Sequence, residues 1–154
     1  MILYVSGPMR GYPLFNFHSF ENACRVLRGV QLGPAHTVFS PHEHDREAAF
    51  DPTLGVDPTP EKMAELMRWD LERVIECDAI VLLPGWQRSR GALVELTVAV
   101  NVGKEVYEFD PAVEAGMRRI GDPKLIVTLL TITPPPLEGT MTRGLSDPTV
   151  TVKE

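Results

Sequence analysis

Short apolar runs alternate along the chain with longer stretches in which apolar residues recur every three or four positions. Each run is followed by Gly, Pro or Asp, and the runs predict four buried strands: 2–6, 37–40, 79–83 and 105–109. The amphipathic stretches predict three helices: 16–28, 60–76 and one that starts near residue 91. This order is typical of a doubly wound α/β domain, in which helices cover both faces of a parallel sheet of four or five strands.

The last third of the chain is less regular. After Asp110 and Pro111 a helix of about ten residues is expected, while the apolar run 124–133 fits a strand or a helix equally well. From residue 134 onward Pro, Gly, Ser and Thr dominate. We therefore expect one α/β domain over residues 1–133 and a flexible tail over residues 134–154.

Composition narrows the classes of function. The chain has 154 residues and 44% apolar content, which suits a single core, and its net charge of -6 argues against binding to a nucleic acid polymer. The two cysteines, Cys24 and Cys77, lack the spacing of a zinc site or a disulfide framework. Apolar stretches are too short for a signal peptide or a membrane span. We expect a cytoplasmic protein whose partner is a small nucleotide.

Ligands of doubly wound sheets bind beyond the carboxyl ends of the strands, where loops meet helix N-termini. Three loops follow predicted strands: "SGPMRG" (6–11), "SPHEHD" (40–45) and "PGWQRSRG" (84–91). The last of these also contains Trp86, a flat surface on which a base could stack. Candidate functional residues are therefore expected in these loops.

Glu95 is the only charged residue in the apolar stretch "GALVELTVAV" of the third predicted helix. A carboxylate in such surroundings is costly unless it is hydrogen-bonded, protonated or functional. Two ordinary interpretations remain open: a capping-box partner for an upstream hydroxyl, or a solvated side chain. Ser89 and Gly91 precede the helix, where free N–H groups and the helix dipole favour an anion.

Asp70 is a second candidate carboxylate, in the middle of the helix predicted over 60–76. Its neighbours on the apolar face include Leu66 and Val74. The alternative is a surface aspartate that pairs with Arg73 or Arg68.

Three segments resemble the nucleoside 2-deoxyribosyltransferase superfamily: "ILYVSGPMRG", "WDLERVIECDAIVLLP" and "SRGALVELTVAVNVGKEVY". They are most similar to its branch of 2'-deoxynucleoside 5'-monophosphate N-glycosidases. The resemblance covers residues 2–109, apart from a dissimilar segment at 46–61. It implies a flavodoxin-like fold, chemistry without metal or organic cofactor, and dimers or larger homo-oligomers in which a neighbouring chain completes the site.

The resemblance also implies roles for individual residues. Glu95 stands at the position of the nucleophile that attacks C1' of the sugar, and Asp70 at that of the aspartate that orients or protonates the leaving base. Tyr4 matches a tyrosine near the nucleophile.

The phosphate side of the site is implied by two further segments. Gly7, Met9, Arg10 and Gly11 belong to a loop that resembles the family's Gly-x-x-Arg-Gly loop, with Arg10 beside the 5'-phosphate. Ser89 and Gly91 have the spacing of the serine and glycine of the family's phosphate-side loop.

The chemistry independently requires these residue types. Cleavage of an N-glycosidic bond builds positive charge at C1', which a carboxylate stabilises or captures, while a proton donor helps the base to leave. Glu95 fits the first function, and Asp70 or the nearby His42 fits the second. A phosphate held by Arg10 and Ser89 would fix the sugar in position.

Three functions remain open: a hydrolase acting on (deoxy)nucleoside 5'-monophosphates, a deoxyribosyltransferase, and an inactive nucleotide-binding or sensing module. Arg10 favours the hydrolase over the transferase, and the pair of Glu95 and Asp70 argues against a pure sensor.

Several features depart from the family pattern or stay open. Leu93 and Val94 replace a glycine and an aromatic residue before the nucleophile, and Thr97 replaces a glycine after it. The segment 46–62 is interpreted as a lid over the base, or else as an idle surface loop. No metal site is expected at His42 and His44, since a third ligand is not evident. The stripe of Val94, Val98 and Val102 suits a helix contact in a homodimer, or equally the core.

Overall fold

A computed structural model describes residues 1–29 and 35–132, with side chains described up to residue 128. Five strands and five α-helices occur in these parts of the chain, besides three short 3₁₀ turns: β1 (Ile2–Ser6), α1 (Phe17–Arg28), β2 (Thr37–Phe39), α2 (Pro41–Glu47), α3 (Pro60–Glu76), β3 (Ala79–Leu82), α4 (Arg90–Asn101), β4 (Glu105–Phe109), β5 (Met117–Arg119) and α5 (Pro123–Ile132). All four predicted strands and all three predicted helices are present, within a few residues of the expected bounds.

The strands form one sheet in the order β2-β1-β3-β4-β5. The first four are parallel, with Tyr4 opposite Phe39 on one side and opposite Ile80 on the other. Strand β5 pairs antiparallel with β4, where Tyr107 lies opposite Arg119. An order of 2-1-3-4-5 is that of the flavodoxin-like doubly wound fold, so the expected fold class is confirmed.

Two apolar layers cover the sheet, because successive side chains of a strand point to opposite faces. One layer joins Tyr4 and Ile80 to α3 and α4, through residues such as Val74 and Leu96. The other joins the alternate strand residues Leu3, Val5, Ala79 and Val81 to Phe20, Cys24 and Leu27 of α1. Burial on both faces explains why β3 is a continuous apolar run.

The helix expected after Asp110 and Pro111 is wrong. The Asp110 carboxylate accepts a hydrogen bond from the Ala112 N–H at 3.0 Å and from Arg118 at 2.7 Å, so it closes a turn that returns the chain to β4 as β5. Gly116, with φ +70°, completes the turn. The ambiguous run after it is helix α5.

The loop expected at 40–45 is also partly helical. Pro41 stands in the first turn of α2, where its missing N–H costs no hydrogen bond. The segment between α2 and α3 contains a short 3₁₀ turn, Pro52–Leu54, and carries the exposed side chains of Leu54 and Val56. The tail expected over 134–154 lies outside the described residues. Among the described helices, none is long and apolar enough to cross a membrane.

Candidate active site

Glu95 is buried in the middle of α4, where the residue is 5% exposed. Two hydroxyl groups of β1 donate hydrogen bonds to it: Tyr4 to Oε1 at 3.0 Å, and Ser6 to Oε2. Glu95 is therefore neither solvated nor a capping-box partner. The N-cap of α4 is Ser89, whose Oγ accepts from the N–H of Ala92.

Asp70 lies on α3, beside Glu95 and Tyr4, and is 8% exposed. Within the described residues, its buried Oδ1 atom has no hydrogen-bond partner. Burial, followed by repulsion from Glu95 and Asp45, raises the pKa of Asp70 to about 9, and Tyr4 opposes this rise by a smaller amount. Asp70 is thus a neutral acid at neutral pH and is not the surface ion pair considered as the alternative.

The two carboxyl groups differ in what stabilises their charge. Burial is the largest influence on Glu95 and leaves its pKa raised, while the hydrogen bonds from Ser6 and Tyr4 oppose the rise. Burial and the neighbouring carboxyl groups also raise the pKa of Tyr4 well above its ordinary range, so its hydroxyl keeps its proton and remains a donor. The two hydroxyl donors favour the negative charge on Glu95, and Asp70, which lacks them, favours the proton.

A cavity of about 500 Å³ opens above these carboxyl groups. Its lining is chemically uneven. Glycines and arginines line it in two segments, 7–11 and 88–91, and apolar side chains form a separate wall: Phe15, Pro41, Phe50, Met63, Leu66 and Met67. Pockets of this kind, apolar with a few convergent polar groups, are typical of small-molecule sites.

The loop after β1 brings Gly7, Met9, Arg10 and Gly11 to the cavity. Gly7 packs so closely that an added Cβ would lie 2.7 Å from Cβ of Leu83, which explains why glycine is needed there. The Arg10 side chain is exposed, and its Nε lies 3.9 Å from a carboxylate oxygen of Asp57. A contact of this length in solvent leaves the guanidinium available to an anionic ligand.

Ser89 and Gly91 line the cavity at the N-terminus of α4, together with Arg88 and Arg90. Both arginines are exposed, and within the described residues no carboxylate lies at salt-bridge distance from either of them. The helix N-terminus and these guanidinium groups give this end of the cavity a positive potential.

Residues 1–108 match a family model described as "Domain of unknown function (DUF4406)". The chain belongs to the DUF4406 family. The matched segment contains every element from β1 to α4 and all but the last residue of β4, and so all of the cavity lining. A comparison with curated proteins found no match.

Two solved structures resemble the DUF4406 chain. One is a 2-deoxyribosyltransferase from Bacillus psychrosaccharolyticus, with 23% identity and a TM-score of 0.52; the match covers 83% of this chain and 80% of that one. The other is a 2-desoxiribosyltransferase from Leishmania mexicana, with 16% identity, a TM-score of 0.47, and coverage of 82% and 84%. The first likeness agrees with the flavodoxin-like fold.

Two residues expected at the site of the DUF4406 chain lie away from the cavity. Trp86 is buried in the core, and its Nε1–H donates to Glu108 over 3.4 Å. His42 is buried against the rings of Phe17 and Phe20, and its Nδ1 lies 2.7 Å from Oγ of Ser40. Burial lowers the pKa of His42. Of the two proton donors considered, only Asp70 reaches the cavity.

Ser6 and Asp45 belong to the site but were not predicted as site residues. Ser6 stands two residues after Tyr4 on β1, so the period of a strand places both on the face toward α4, and this signal was present in the sequence. Asp45 lines the cavity because α2 forms where a loop was expected. The pKa of Asp45 is raised to about 7, mainly by burial and to a smaller extent by Glu95, while Lys62 opposes the rise.

The carboxyl groups do not make a metal site. Among the described residues, no group of three or more His, Cys, Asp or Glu side chains is arranged to hold a metal ion. The arrangement offers instead an ionised carboxylate fixed by two donors, a neutral carboxylic acid beside it, and a cationic end.

Proposed function

We propose that the protein is an N-glycosidase that cleaves the base from a (deoxy)nucleoside 5'-monophosphate, with Glu95 as the nucleophile. The observation that carries the proposal is the buried Glu95, held by Tyr4 and Ser6 and placed beside the protonated Asp70 in a cavity with a cationic end. A binding protein has no need of such a desolvated carboxylate pair, which argues against a sensor.

The reaction has two steps. In the first, an oxygen of Glu95 forms a bond to C1' as the bond from C1' to the base nitrogen breaks, and the base takes the proton of Asp70. In the second, the Asp70 carboxylate removes a proton from water as the water oxygen attacks C1' and releases Glu95. The products are the free base and the sugar 5-phosphate. Tyr4 and Ser6 orient the nucleophile throughout.

The phosphate supplies orientation. Arg10, the Ser89 hydroxyl and the N–H groups at the start of α4 would hold it, with Arg88 and Arg90 nearby. Holding the sugar at this end turns C1' toward Glu95 and converts binding energy into alignment. An unphosphorylated nucleoside would leave these cationic groups unused, which favours the monophosphate.

The solved structures that resemble the chain are 2-deoxyribosyltransferases by name, which supports chemistry at the same glycosidic bond. Transfer and hydrolysis share the first step and differ in the second, where a base or water attacks C1'. The cationic end of the cavity favours hydrolysis of a monophosphate over transfer between nucleosides, and we therefore propose the N-glycosidase branch of the superfamily.

The test incubates the protein with a panel of ribo- and deoxynucleoside 5'-monophosphates and the matching nucleosides, and measures the free base released by chromatography. The intact chain is compared with Glu95→Gln and with Glu61→Gln, a control at an exposed glutamate on α3. We expect release from monophosphates, unchanged in the control and reduced at least about a thousandfold in Glu95→Gln.

Three results would overturn the proposal. Base release that persists in Glu95→Gln would show that Glu95 is not the nucleophile. Base release from nucleosides only, with transfer of the sugar to an added second base, would establish the transferase instead. Binding of nucleotides without release from any of them would establish the sensor.

A further inference from the structure

A third carboxyl group, Asp45 on α2, faces the cavity and has no part in the reaction proposed above. It is 5% exposed. Burial and the charges of Lys62 and Glu95 influence its carboxyl group, and no hydrogen bond from the described residues does. The group is shielded from bulk water but faces the cavity, so a ligand in the cavity can supply its hydrogen bonds.

The sheet order places Asp45 across the cavity from the cationic end. Strands β2 and β3 lie on opposite sides of β1, Asp45 follows β2, and Ser89 follows β3. Glu95 interacts electrostatically with Asp45 and lies between these two ends. If the phosphate binds beside Ser89 and C1' lies at Glu95, the third part of the nucleotide, its base, extends toward Asp45.

The walls near Asp45 suit a flat ring. Phe15, Phe50, Met63 and Met67 all line the cavity, and the rings of Phe15 and Phe50 meet edge to face with centroids 4.9 Å apart. Aromatic and thioether side chains pack well against the faces of a base, which leaves its polar edge for Asp45.

We propose that Asp45 binds the edge of the base, and that its protonation state sets which base is preferred. This inference rests on the proposed function. As a carboxylic acid, Asp45 offers one donor and one acceptor, which match an adjacent acceptor and donor on any of the common bases. As a carboxylate it offers two acceptors, which match two adjacent N–H donors. Guanine presents such a pair, at N1 and its 2-amino group.

The change of state falls near neutral pH. The charged groups around the carboxyl group are Lys62 and Asp70 of α3, Glu95 of α4, and the exposed Arg10 and Asp57 at the mouth of the cavity. Burial is the largest influence, and the pKa of Asp45 is about 7. Since the folded-state pKa is raised, the acid form holds below about 7 and the carboxylate above it, so preference for guanine grows as the pH rises.

The experiment compares dGMP with dIMP, which differ only in the 2-amino group of the base. Dissociation constants are measured by calorimetry at about pH 5 and about pH 8, on full chains that carry Glu95→Gln so that the nucleotide stays intact. The wide pH range allows for the lower pKa of Asp45 once the Glu95 charge is removed. Effects of phosphate ionisation cancel in the ratio of the two constants. The further variants are Asp45→Asn and, as a matched control, Asp57→Asn at the exposed aspartate of the cavity mouth.

We expect the ratio of the dIMP dissociation constant to the dGMP dissociation constant to rise about tenfold from the lower to the higher pH. This is the discrimination that one bidentate hydrogen-bonded pair between a side chain and a base provides. The rise is expected to persist in Asp57→Asn and to vanish in Asp45→Asn, because an amide offers a donor and an acceptor at every pH. The inference would be overturned by a ratio that does not change with pH, or by one that rises equally in Asp45→Asn.

Base release by the chain with Glu95 intact separates this inference from the proposed function. If base is released but the ratio does not depend on Asp45, this inference alone fails. If the ratio behaves as expected but no base is released, the hydrolase fails and Asp45 remains the base-binding residue. If neither nucleotide binds, this inference fails, and the proposed function fails with it only when no monophosphate of the panel releases its base.

Discussion

At the scale of single residues, the site depends on how little water reaches three carboxyl groups. Glu95, Asp70 and Asp45 are each more than nine-tenths buried, and each would be unfavourable as an isolated charge. Only Glu95 has hydroxyl donors on both oxygens, which stabilise its ionised form. The protein thereby separates the roles of two neighbouring carboxyl groups, because the one without donors at its buried oxygen keeps the proton.

Asp70→Asn is expected to stabilise the fold while it abolishes base release. The folded-state pKa of Asp70 is raised to about 9, whereas an unfolded aspartate titrates near 3.9. Folding must therefore take up a proton between these values, so Asp70 lowers stability progressively as the pH rises from about 4 to about 9. Asparagine has a similar shape and no charge, and it removes this penalty.

The measurement is thermal unfolding of both proteins at about pH 5 and about pH 8. We expect the variant to be more stable than the parent by at least about 1 kcal/mol, about 3 °C in Tm, at the higher pH, and by clearly less at the lower one, which lies only about one unit above the unfolded pKa. Glu72→Gln, at an exposed position of the same helix, is the control and is expected to change neither value. A variant that is less stable than the parent at both pH values would contradict a protonated Asp70.

At the scale of elements, α3 and α4 begin with the same kind of N-cap, but only the cap of α4 lies at the candidate active site. Thr59 accepts from the N–H of Lys62, and Ser89 accepts from the N–H of Ala92, each at 3.3 Å. Ser89 lines the cavity and Thr59 does not. The Ser89 hydroxyl accepts one bond as a cap and still has its own proton to donate to a phosphate.

Ser89→Ala and Thr59→Ala are expected to lower stability alike, by about 1 kcal/mol each, the usual worth of an N-cap. Only Ser89→Ala is expected to weaken use of the monophosphate, with KM raised about tenfold, since a hydrogen bond to a charged group is worth about 1.5–3 kcal/mol. Steady-state kinetics and thermal unfolding of both variants check this. Equal KM values in the two variants would show that Ser89 is a cap and nothing more.

Elements long enough to show a clear period were predictable, and shorter ones were not. β3 is apolar throughout because both of its faces are buried, and α3 starts at an N-cap threonine followed by proline. The strand β5 has only three residues, Met117–Arg119, two of them arginine, so no apolar run marks it. It exists because it pairs with β4, and such non-local pairing leaves no local signal.

The site was predictable to the same degree. Glu95 and Asp70 stand out as charges on apolar helix faces. His42 and Trp86 were misplaced because a loop was expected where α2 turns the histidine inward, and because the indole completes the core. Asp45 reaches the cavity through the same turn of α2, so a one-dimensional pattern could not distinguish it from a surface residue.

At the scale of the whole molecule, the cavity lies where the fold predicts it, beyond the carboxyl ends of the central strands. Its elements converge from both sides of β1: α2 after β2, and α4 after β3. The residues of the chemistry therefore come from separate elements, with Tyr4 and Ser6 on β1, Asp70 on α3 and Glu95 on α4, and no single segment of the chain carries the function. The rim of the cavity also reaches the outer face of α4, since Val94 lines the cavity.

We expect the chain to self-associate through that outer face. Of the valine stripe on α4, Val98 packs against the core, whereas Val94 and Val102 are 44% and 47% exposed. No side chain described in the structure covers these two valines, and apolar groups at a helical spacing of eight residues suit contact with a second helix. A partner there would lie against the rim of the cavity and shield the reaction from bulk water, so dimer formation and activity should fall together.

Val102→Lys is expected to weaken self-association about tenfold or more, because it buries an unpaired charge in the contact. Analytical ultracentrifugation over a range of concentrations measures this. Leu54→Lys, at an exposed apolar position of the segment between α2 and α3, is the control and is expected to leave the dimer intact.

A parent chain that sediments as a monomer at every concentration would contradict the expectation outright. Equal dissociation constants for the parent and Val102→Lys would move the contact to a different face.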